Sequence, residues 1–259
     1  MNRILFREHK RDGFVWTSDD DYTHAIVINT CMPVLNPSVT KEHVLGLAFE
    51  PNHYLNISTE FVLYAQQYIG RYFIGDAHGF PPPFVSRFSY MWHIPPPLTP
   101  IPVKSNIISM VVSYKKTSWG NRYRHRLANA ILAANLPVDI WGNGCYLLDH
   151  PIETRVRGRF DEKEPYETYM FHIAIENFQC GHYISEKLLN PFVYQCTPLY
   201  WGSPLANHYF GDTMYALSGN IGQDLRLIEE ICSDPELFKK PIHSSVVARV
   251  TDVLCEFAA

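Results

Sequence analysis

The sequence predicts an α/β protein made of two Rossmann-like domains that face a central cleft. Short apolar stretches alternate with helical patterns in both halves of the chain, and a proline-rich segment separates the halves. The 259 residues suffice for two domains, because a domain commonly spans about 100–150 residues. We predict an N-terminal domain over residues 1–95, a C-terminal domain over 96–240, and a closing helix over 241–259 that packs back on the N-terminal domain.

The first half contains two apolar runs of strand length and one helical pattern. The strands are expected at Thr23–Asn29 and Val44–Phe49. The spacing of apolar residues predicts a helix over Thr59–Ile69, with Ser58 as its N-cap. This alternation favours a parallel sheet covered by helices.

The segment from Pro81 to Pro102 contains the run PPP twice. Proline lacks a backbone N–H and fixes φ, so we expect no regular structure here and interpret the segment as the linker. Its aromatic residues indicate that it packs against the protein instead of remaining free; they are Phe84, Phe88, Tyr90 and Trp92.

The second half repeats the alternation over a longer stretch. The predicted strands are Ile107–Ser113, Val138–Trp141, Phe171–Ile175 and Thr197–Trp201. The predicted helices are Asn121–Ala134, Tyr183–Tyr194, Gln223–Cys232 and Val246–Phe257. Pro191 is expected to kink or shorten the second of these helices.

Composition indicates which partners the protein lacks and in which compartment it is expected. A formal net charge of -4 gives no general attraction for nucleic acid or anionic lipid, so neither partner is expected. No apolar run reaches the roughly 20 residues of a spanning helix, and the charged N-terminus does not resemble a signal peptide, which predicts a soluble, cytoplasmic protein without a membrane anchor. The six cysteines include no CxxC pair and are interpreted as reduced structural thiols.

The helix predicted to begin at Asn121 is a candidate anion site. Arg122 lies in its first turn, where free N–H groups and the helix dipole favour an anion, and a guanidinium can hold a diphosphate with two parallel hydrogen bonds. Arg124 and Arg126 follow on the same helix. The alternative is an ordinary solvated basic face shared by all three arginines.

Tyr183, Glu186 and Lys187 form a second candidate group. They stand at positions i, i+3 and i+4, so they share one face if the helix has begun by Tyr183. The ring could contact a base or ribose, the carboxylate could accept from ribose hydroxyls, and the ammonium could bind a phosphate. The alternative for Glu186 and Lys187 is a solvated surface pair.

Polar residues follow two of the predicted strands. Glu176 and Asn177 come directly after Phe171–Ile175, and Glu50 follows Val44–Phe49. Ligands of open α/β sheets bind beyond the carboxyl ends of the strands, so these side chains are expected to face the cleft from its two sides. Glu50 is equally compatible with a surface carboxylate.

The sequence gives little support for a catalytic metal. The run Asp19–Asp21 could be taken for a metal-binding DxD motif, but it precedes the first strand and is interpreted as a solvated turn. The histidines show no HExxH spacing, so no metal is predicted. The absence of GxGxxG and GxxxxGK[ST] disfavours dinucleotide oxidoreductases and ATPases.

A family resemblance is carried by residues 171–204, FHIAIENFQCGHYISEKLLNPFVYQCTPLYWGSP. The strand ending in Glu176-Asn177, the motif YISEK and the motif TPLYWGSP resemble the donor-binding signature of the α1,3-fucosyltransferase family, glycosyltransferase family 10. Asn121-Arg122 with the following VDIWG at 138–142, and AFEP at 48–51, are also similar to segments of that family.

The resemblance implies a metal-independent inverting transferase with a GT-B fold, which moves fucose from GDP-fucose to a hydroxyl of a glycan acceptor, with an α1,3 linkage. The C-terminal domain would bind the nucleotide sugar and the N-terminal domain the acceptor, with Glu50 as the general base. The residues expected to bind the donor are Arg122, Asn177, Tyr183, Glu186 and Lys187, with Glu176 and Arg124 as further candidates. A same-fold transferase using another nucleotide sugar, and a noncatalytic sugar- or nucleotide-binding protein, remain open.

Overall fold

The protein is described by a computed structural model, which covers residues 13–91 and 103–257. The chain divides into two compact units. Unit 1 takes its described residues from Met1–Pro97, Cys180–Ser185 and Ala248–Ala259, and unit 2 takes them from Leu98–Gln179 and Glu186–Val247.

Unit 1 contains a four-stranded parallel sheet with the strands in chain order. The strands are β1 Ala25–Ile28, β2 Val44–Leu47, β3 Arg71–Ile74 and β4 Phe84–Ser86. The helices are α1 Asn52–Leu55 and α2 Thr59–Tyr68, and Lys41–His43 and Val253–Phe257 form 3₁₀ turns.

Helix α2 forms as the sequence predicts. The Ser58 side chain accepts from the Phe61 backbone N–H at 3.1 Å, which satisfies one of the free donors of the first turn. Phe61 and Ala65 are buried against Tyr72 of β3, so the apolar face of the helix covers the sheet.

Strands β3 and β4 are absent from the sequence prediction. β4 lies inside the segment that was expected to be irregular, so that expectation is wrong for Phe84–Ser86. It is an edge strand, and Pro83 contributes only its carbonyl, which accepts from the Tyr72 N–H at 2.9 Å. Proline is tolerated at such a place because no ladder donor is lost. Trp92 and the rest of the linker up to residue 102 lie outside the described residues.

Unit 2 contains a six-stranded parallel sheet of order β10-β9-β8-β5-β6-β7. The strands are β5 Asn106–Val111, β6 Val138–Trp141, β7 Val156–Gly158, β8 Tyr169–Ile175, β9 Thr197–Trp201 and β10 Tyr215–Ala216. Chain order reverses between β5 and β8, which is the strand order of a doubly wound nucleotide-binding sheet. The crevice at this reversal is where ligands of such sheets bind.

Helices flank this sheet. They are α3 Trp119–Ala133, α4 Glu186–Val193, α5 Ala206–Phe210, α6 Ile221–Ser233 and α7 Pro235–Phe238, and Cys145–Leu147 forms a 3₁₀ turn. A further helix, α8 Ser244–Thr251, spans the boundary between the two units. Leu127 and Ile131 of α3 are fully buried in a core with Ile108 of β5 and Phe171 of β8. Two parallel sheets flanked by helices therefore confirm the predicted fold class.

Two helix starts differ from the prediction. α3 begins two residues earlier than expected, because Ser118 caps it by accepting from the Asn121 N–H at 3.0 Å, so Asn121 lies inside its first turn. α4 begins at Glu186, so Tyr183 precedes the helix and does not share a helical face with Glu186 and Lys187. The short elements β7, β10 and α5 have no counterpart in the prediction.

No helix in residues 13–91 or 103–257 combines the length and apolar character needed to cross a membrane.

Candidate functional site

The carboxyl ends of β5 and β8 and the start of α3 form the centre of the candidate site in unit 2. The Gly120 N–H donates to the Asn177 carbonyl at 3.1 Å. A Cβ on Gly120 would lie 1.9 Å from the Glu176 carbonyl oxygen, closer than any real contact. The first turn of α3 therefore packs directly on the chain that leaves β8, and only glycine allows this approach.

Gly120→Ala is expected to destabilise the protein by about 1–3 kcal/mol, because the new methyl group meets backbone that cannot yield without moving α3 away from β8. The matched control is Gly222→Ala, which changes the second residue of α6; its Cβ would meet only the Asn220 side chain, at 3.6 Å. The control should stabilise by about 0.5–1 kcal/mol through helix propensity. Urea unfolding measures both, and equal effects would contradict the close approach.

Lys187 lies between two carboxylates. Its Nζ is 2.9 Å from Glu186 Oε1 and 3.7 Å from Glu176 Oε2. The Glu176 side chain is fully buried, whereas that of Glu186 is 41% exposed. Burial favours the neutral amine, but the two carboxylates outweigh it, so the pKa of Lys187 is raised above its usual value. Lys187 is therefore a fixed positive charge near the end of β8.

Arg124 reaches the same place from α3. It is 5% exposed, and its guanidinium donates to the Ile175 carbonyl and lies 3.5 Å from Asn177 Oδ1. Arg124 and Lys187 are close enough for each charge to act on the other. The carboxyl end of β8 thus carries two cations, Arg124 and Lys187, together with the carboxylates of Glu176 and Glu186 and the amide of Asn177. We call Arg124, Glu176, Asn177, Glu186 and Lys187 the charged cluster.

Arg122 is not part of this cluster in the structure. It is exposed, and its Nη1 donates to the Thr117 carbonyl at 3.0 Å and to that of Lys116 at 3.4 Å. Arg126 is also exposed, with its guanidinium 5.8 Å from the ring centre of Trp119. Of the three arginines, the structure brings Arg124 together with Asn177 and Lys187.

Tyr200 was missed by the sequence analysis, although it belongs to the quoted TPLYWGSP motif. Its hydroxyl accepts from the Ser203 N–H at 3.0 Å, and burial together with the charge of Glu176 raises the pKa of Tyr200. A Cβ on Gly202 would lie 2.1 Å from the Tyr200 hydroxyl and 2.6 Å from Glu176 Cγ. Tyr200 and Gly202 therefore pack against the buried Glu176 side chain.

Two stacked tryptophans also stand at this end of the sheet. Trp119, the first residue of α3, stacks on Trp201 at the end of β9 with ring centres 4.6 Å apart. Trp201 is 5% exposed and Trp119 is 41% exposed. The sequence offers no signal for this stack, because the two rings are 82 positions apart in the chain (201 minus 119).

The remaining candidates belong to unit 1. Tyr183 is buried in the segment Cys180–Ser185, which is attached where the His182 N–H donates to the Gly75 carbonyl at 2.8 Å. Glu50 is partly buried and lies between β2 and α1. The Phe49 N–H donates to Asn29 Oδ1 at 2.9 Å, which fixes the chain just before Glu50. Glu50 therefore stands beyond the carboxyl end of a central strand, as the sequence predicts.

Asp19, Asp20 and Asp21 lie in an exposed turn. Within residues 13–91 and 103–257, histidine, cysteine, aspartate and glutamate side chains form no group of three or more that could hold a metal ion.

One segment of the chain matches a known family model. Residues 101–212 match the sequence model described as glycosyltransferase family 10 (fucosyltransferase) C-term. A stretch of 92 residues is 30% identical to GDP-fucose protein O-fucosyltransferase 3 of Danio rerio and covers 34% of this chain and 20% of that protein. The chain thus aligns with about a fifth of the length of this curated relative.

Solved structures share the architecture. A crystal structure titled α1,3-fucosyltransferase with GDP is 12% identical, with a TM-score of 0.53, and the match covers 95% of this chain and 86% of that chain. A crystal structure titled α1,3-fucosyltransferase with GDP-fucose is 13% identical with a TM-score of 0.49, over 95% of this chain and 86% of that one.

The two parallel sheets and the first of these structural matches assign the chain to the GT-B class of glycosyltransferase folds. Residues 101–212, which contain the whole charged cluster, match the sequence model for the C-terminal domain of glycosyltransferase family 10, the fucosyltransferase family. The resemblance seen in the sequence is thereby confirmed.

Proposed function

We propose that the protein is an inverting fucosyltransferase that moves fucose from GDP-fucose to an acceptor hydroxyl. The observation that carries the proposal is the pair of fixed cations, Arg124 and Lys187, at the carboxyl end of β8. This is the ligand-binding edge of a doubly wound sheet, and it falls within the segment that matches the fucosyltransferase family.

Each part of the donor is assigned to particular residues of the charged cluster. Arg124 and Lys187 bind the diphosphate, because they are the cations held at the sheet edge. Glu186, with 41% of its side chain exposed, accepts from the ribose hydroxyls. Asn177 shapes the nucleotide pocket, and Glu176 orients Lys187. Arg122 remains a second candidate for the phosphates, since an arginine side chain is long and this one is exposed.

Glu50 is the proposed general base. It takes the proton of the acceptor hydroxyl while that oxygen attacks the anomeric carbon of fucose, and the bond from this carbon to the β-phosphate oxygen breaks. The electron pair leaves with GDP, and the configuration at the anomeric carbon inverts. Arg124 and Lys187 offset the charge that develops on the leaving diphosphate, so a metal ion is not required for that task.

Two acceptor classes are compatible with this mechanism. The first is a glycan hydroxyl, with an α1,3 linkage, as the family resemblance implies. The second is a hydroxyl of a protein, which is favoured by the similarity to a relative whose name is GDP-fucose protein O-fucosyltransferase 3. The chemistry at Glu50 is the same in both cases.

Calorimetry and a transfer assay test the proposal together. We expect GDP to bind at least about tenfold more tightly than UDP, because the pocket is proposed to select the base while the diphosphate contacts are common to both. Transfer of labelled fucose from GDP-fucose is then measured with a glycan array and with folded protein domains as acceptors. Tighter binding of UDP would assign another donor, and GDP binding without transfer to either acceptor class would indicate a noncatalytic binding protein.

A further inference from the structure

Three polar residues beside the charged cluster have buried side-chain atoms without a partner in the protein. These atoms are Ser113 Oγ, both polar atoms of the Asn121 amide, and His125 Nδ1. Asn121 is 1% exposed and His125 is 6% exposed. Buried polar groups in folded proteins are nearly always hydrogen-bonded, so unsatisfied atoms on three neighbouring residues need a partner from outside the protein chain. We call Ser113, Asn121 and His125 the polar group.

The fold brings these residues to one spot. Asn121 and His125 are four positions apart on α3 and therefore lie on one face, one turn above the other. His125 Nε2 is 2.8 Å from the Ser113 carbonyl, which joins the helix to the end of β5. Burying polar residues on this helix face has no packing benefit over alanine or leucine at the same positions.

The polar group borders the proposed donor site. Asn121 directly follows Gly120, whose N–H donates to the Asn177 carbonyl at 3.1 Å. Arg124, which binds the Ile175 carbonyl, shares the helix face with Asn121 and His125. Ser113 lies two residues past the end of β5, the strand that pairs with β8 at the reversal of the sheet. All three residues are therefore at the ligand edge of the sheet, next to the diphosphate contacts.

The hydrogen-bonding capacity of the group identifies its ligand. The Nε2 atom of His125 faces a carbonyl and must carry a proton, so Nδ1 of the neutral ring is an acceptor. Burial and the neighbouring charges of Lys116 and Arg124 lower the pKa of His125, which keeps the ring neutral at pH 7. Asn121 and Ser113 each both donate and accept.

A ligand that satisfies this set must donate as well as accept. A phosphate oxygen only accepts, and it would leave His125 Nδ1 without a proton donor. A hydroxyl group supplies both functions. We propose that Ser113, Asn121 and His125 bind hydroxyl groups of the hexose carried by the nucleotide and thereby select the sugar. This inference rests on the proposed function, since it assumes that the charged cluster holds the diphosphate.

Substitutions in the polar group should weaken the binding of GDP-fucose and leave the binding of GDP unchanged. Binding of GDP and of GDP-fucose, without acceptor, is measured by calorimetry for the unmodified protein and for Asn121→Leu and Ser113→Ala. We expect each variant to bind GDP-fucose about fivefold to tenfold more weakly, which corresponds to the loss of one or two hydrogen bonds, and to bind GDP within twofold of the unmodified protein. The melting temperature of Asn121→Leu should be unchanged or higher, because a buried amide without partners is removed.

Asn129→Leu is the matched control, because Asn129 lies on the same helix and its Oδ1 accepts from the Asp149 N–H at 3.1 Å. It should leave both affinities unchanged. A parallel loss of GDP and GDP-fucose affinity in the two test variants, or no loss of either, would overturn the subsite and assign the polar group to the structure of α3 or to bound water. If the unmodified protein binds neither nucleotide, the proposed function itself fails, and the subsite fails with it.

Discussion

Replacing Glu50 by glutamine is expected to lower kcat for fucosyl transfer by about 100- to 10,000-fold, which is the usual contribution of a positioned general base. The amide keeps the size and the hydrogen-bonding shape of the side chain but cannot take the acceptor proton. GDP affinity should stay within twofold, because the proposed diphosphate contacts belong to unit 2. Single-turnover transfer from labelled GDP-fucose measures the first quantity and calorimetry the second.

Glu60→Gln serves as the control for this experiment. Glu60 is an exposed residue in the first turn of α2, in the same unit as Glu50, so its variant makes the same change of charge away from the end of β2. It should transfer fucose at the unmodified rate. A Glu50→Gln variant that also turns over at that rate would remove Glu50 from the mechanism and leave the base unassigned.

The strands that carry the site could be predicted because buried strands appear in the sequence as apolar runs. β8 and β9 are apolar runs covered on both faces, and the polar residues that follow β8 mark the sheet edge. The four-residue β3 was missed because it is short and begins only three residues after the end of α2, with Gly70 as the single turn signal between the two patterns. β4 was missed because proline was read as excluding a strand, although an edge strand tolerates it.

The choice between Arg122 and Arg124 could not be made from the sequence. Both are arginines near the start of one helix, and the outcome depends on where the helix begins and which face it turns to β8. Ser118 and Asn121 are equally good capping residues. The contact of Gly120 with Glu176 and Asn177 fixes the first turn, and this contact joins segments more than 50 positions apart. Local sequence patterns do not encode such a contact.

The interpretation of Tyr183, Glu186 and Lys187 as one helical face failed for a similar reason. Their spacing fits a helix, but the helix starts at Glu186, and Tyr183 belongs to the segment Cys180–Ser185 of unit 1. Spacing establishes a shared face only when every member lies inside the helix. The neighbours of Lys187 are instead Glu186 and the buried Glu176, which no periodicity of α4 could reveal.

Replacing Lys187 by methionine is expected to weaken GDP binding by about 10- to 150-fold, the range for one charged hydrogen bond of about 1.5–3 kcal/mol. The variant keeps an unbranched side chain that matches lysine up to Cε, but it removes the ammonium proposed to meet the diphosphate. It also leaves the fully buried Glu176 carboxylate without this cation, so the free energy of unfolding should fall by about 1–3 kcal/mol. Calorimetry and urea unfolding measure the two effects.

A second substitution separates the effect of Lys187→Met on the free energy of unfolding from its effect on GDP affinity. The double variant Lys187→Met with Glu176→Gln should regain much of the lost stability, because the buried carboxylate is now a neutral amide, but it should not regain GDP affinity. Lys163→Met is the control, since Lys163 is 58% exposed and pairs only loosely with Glu167 at 3.5 Å; it should change neither quantity measurably. Recovery of GDP binding in the double variant would mean that Lys187 serves only to neutralise Glu176, and the diphosphate would then have to be held by Arg124 without it.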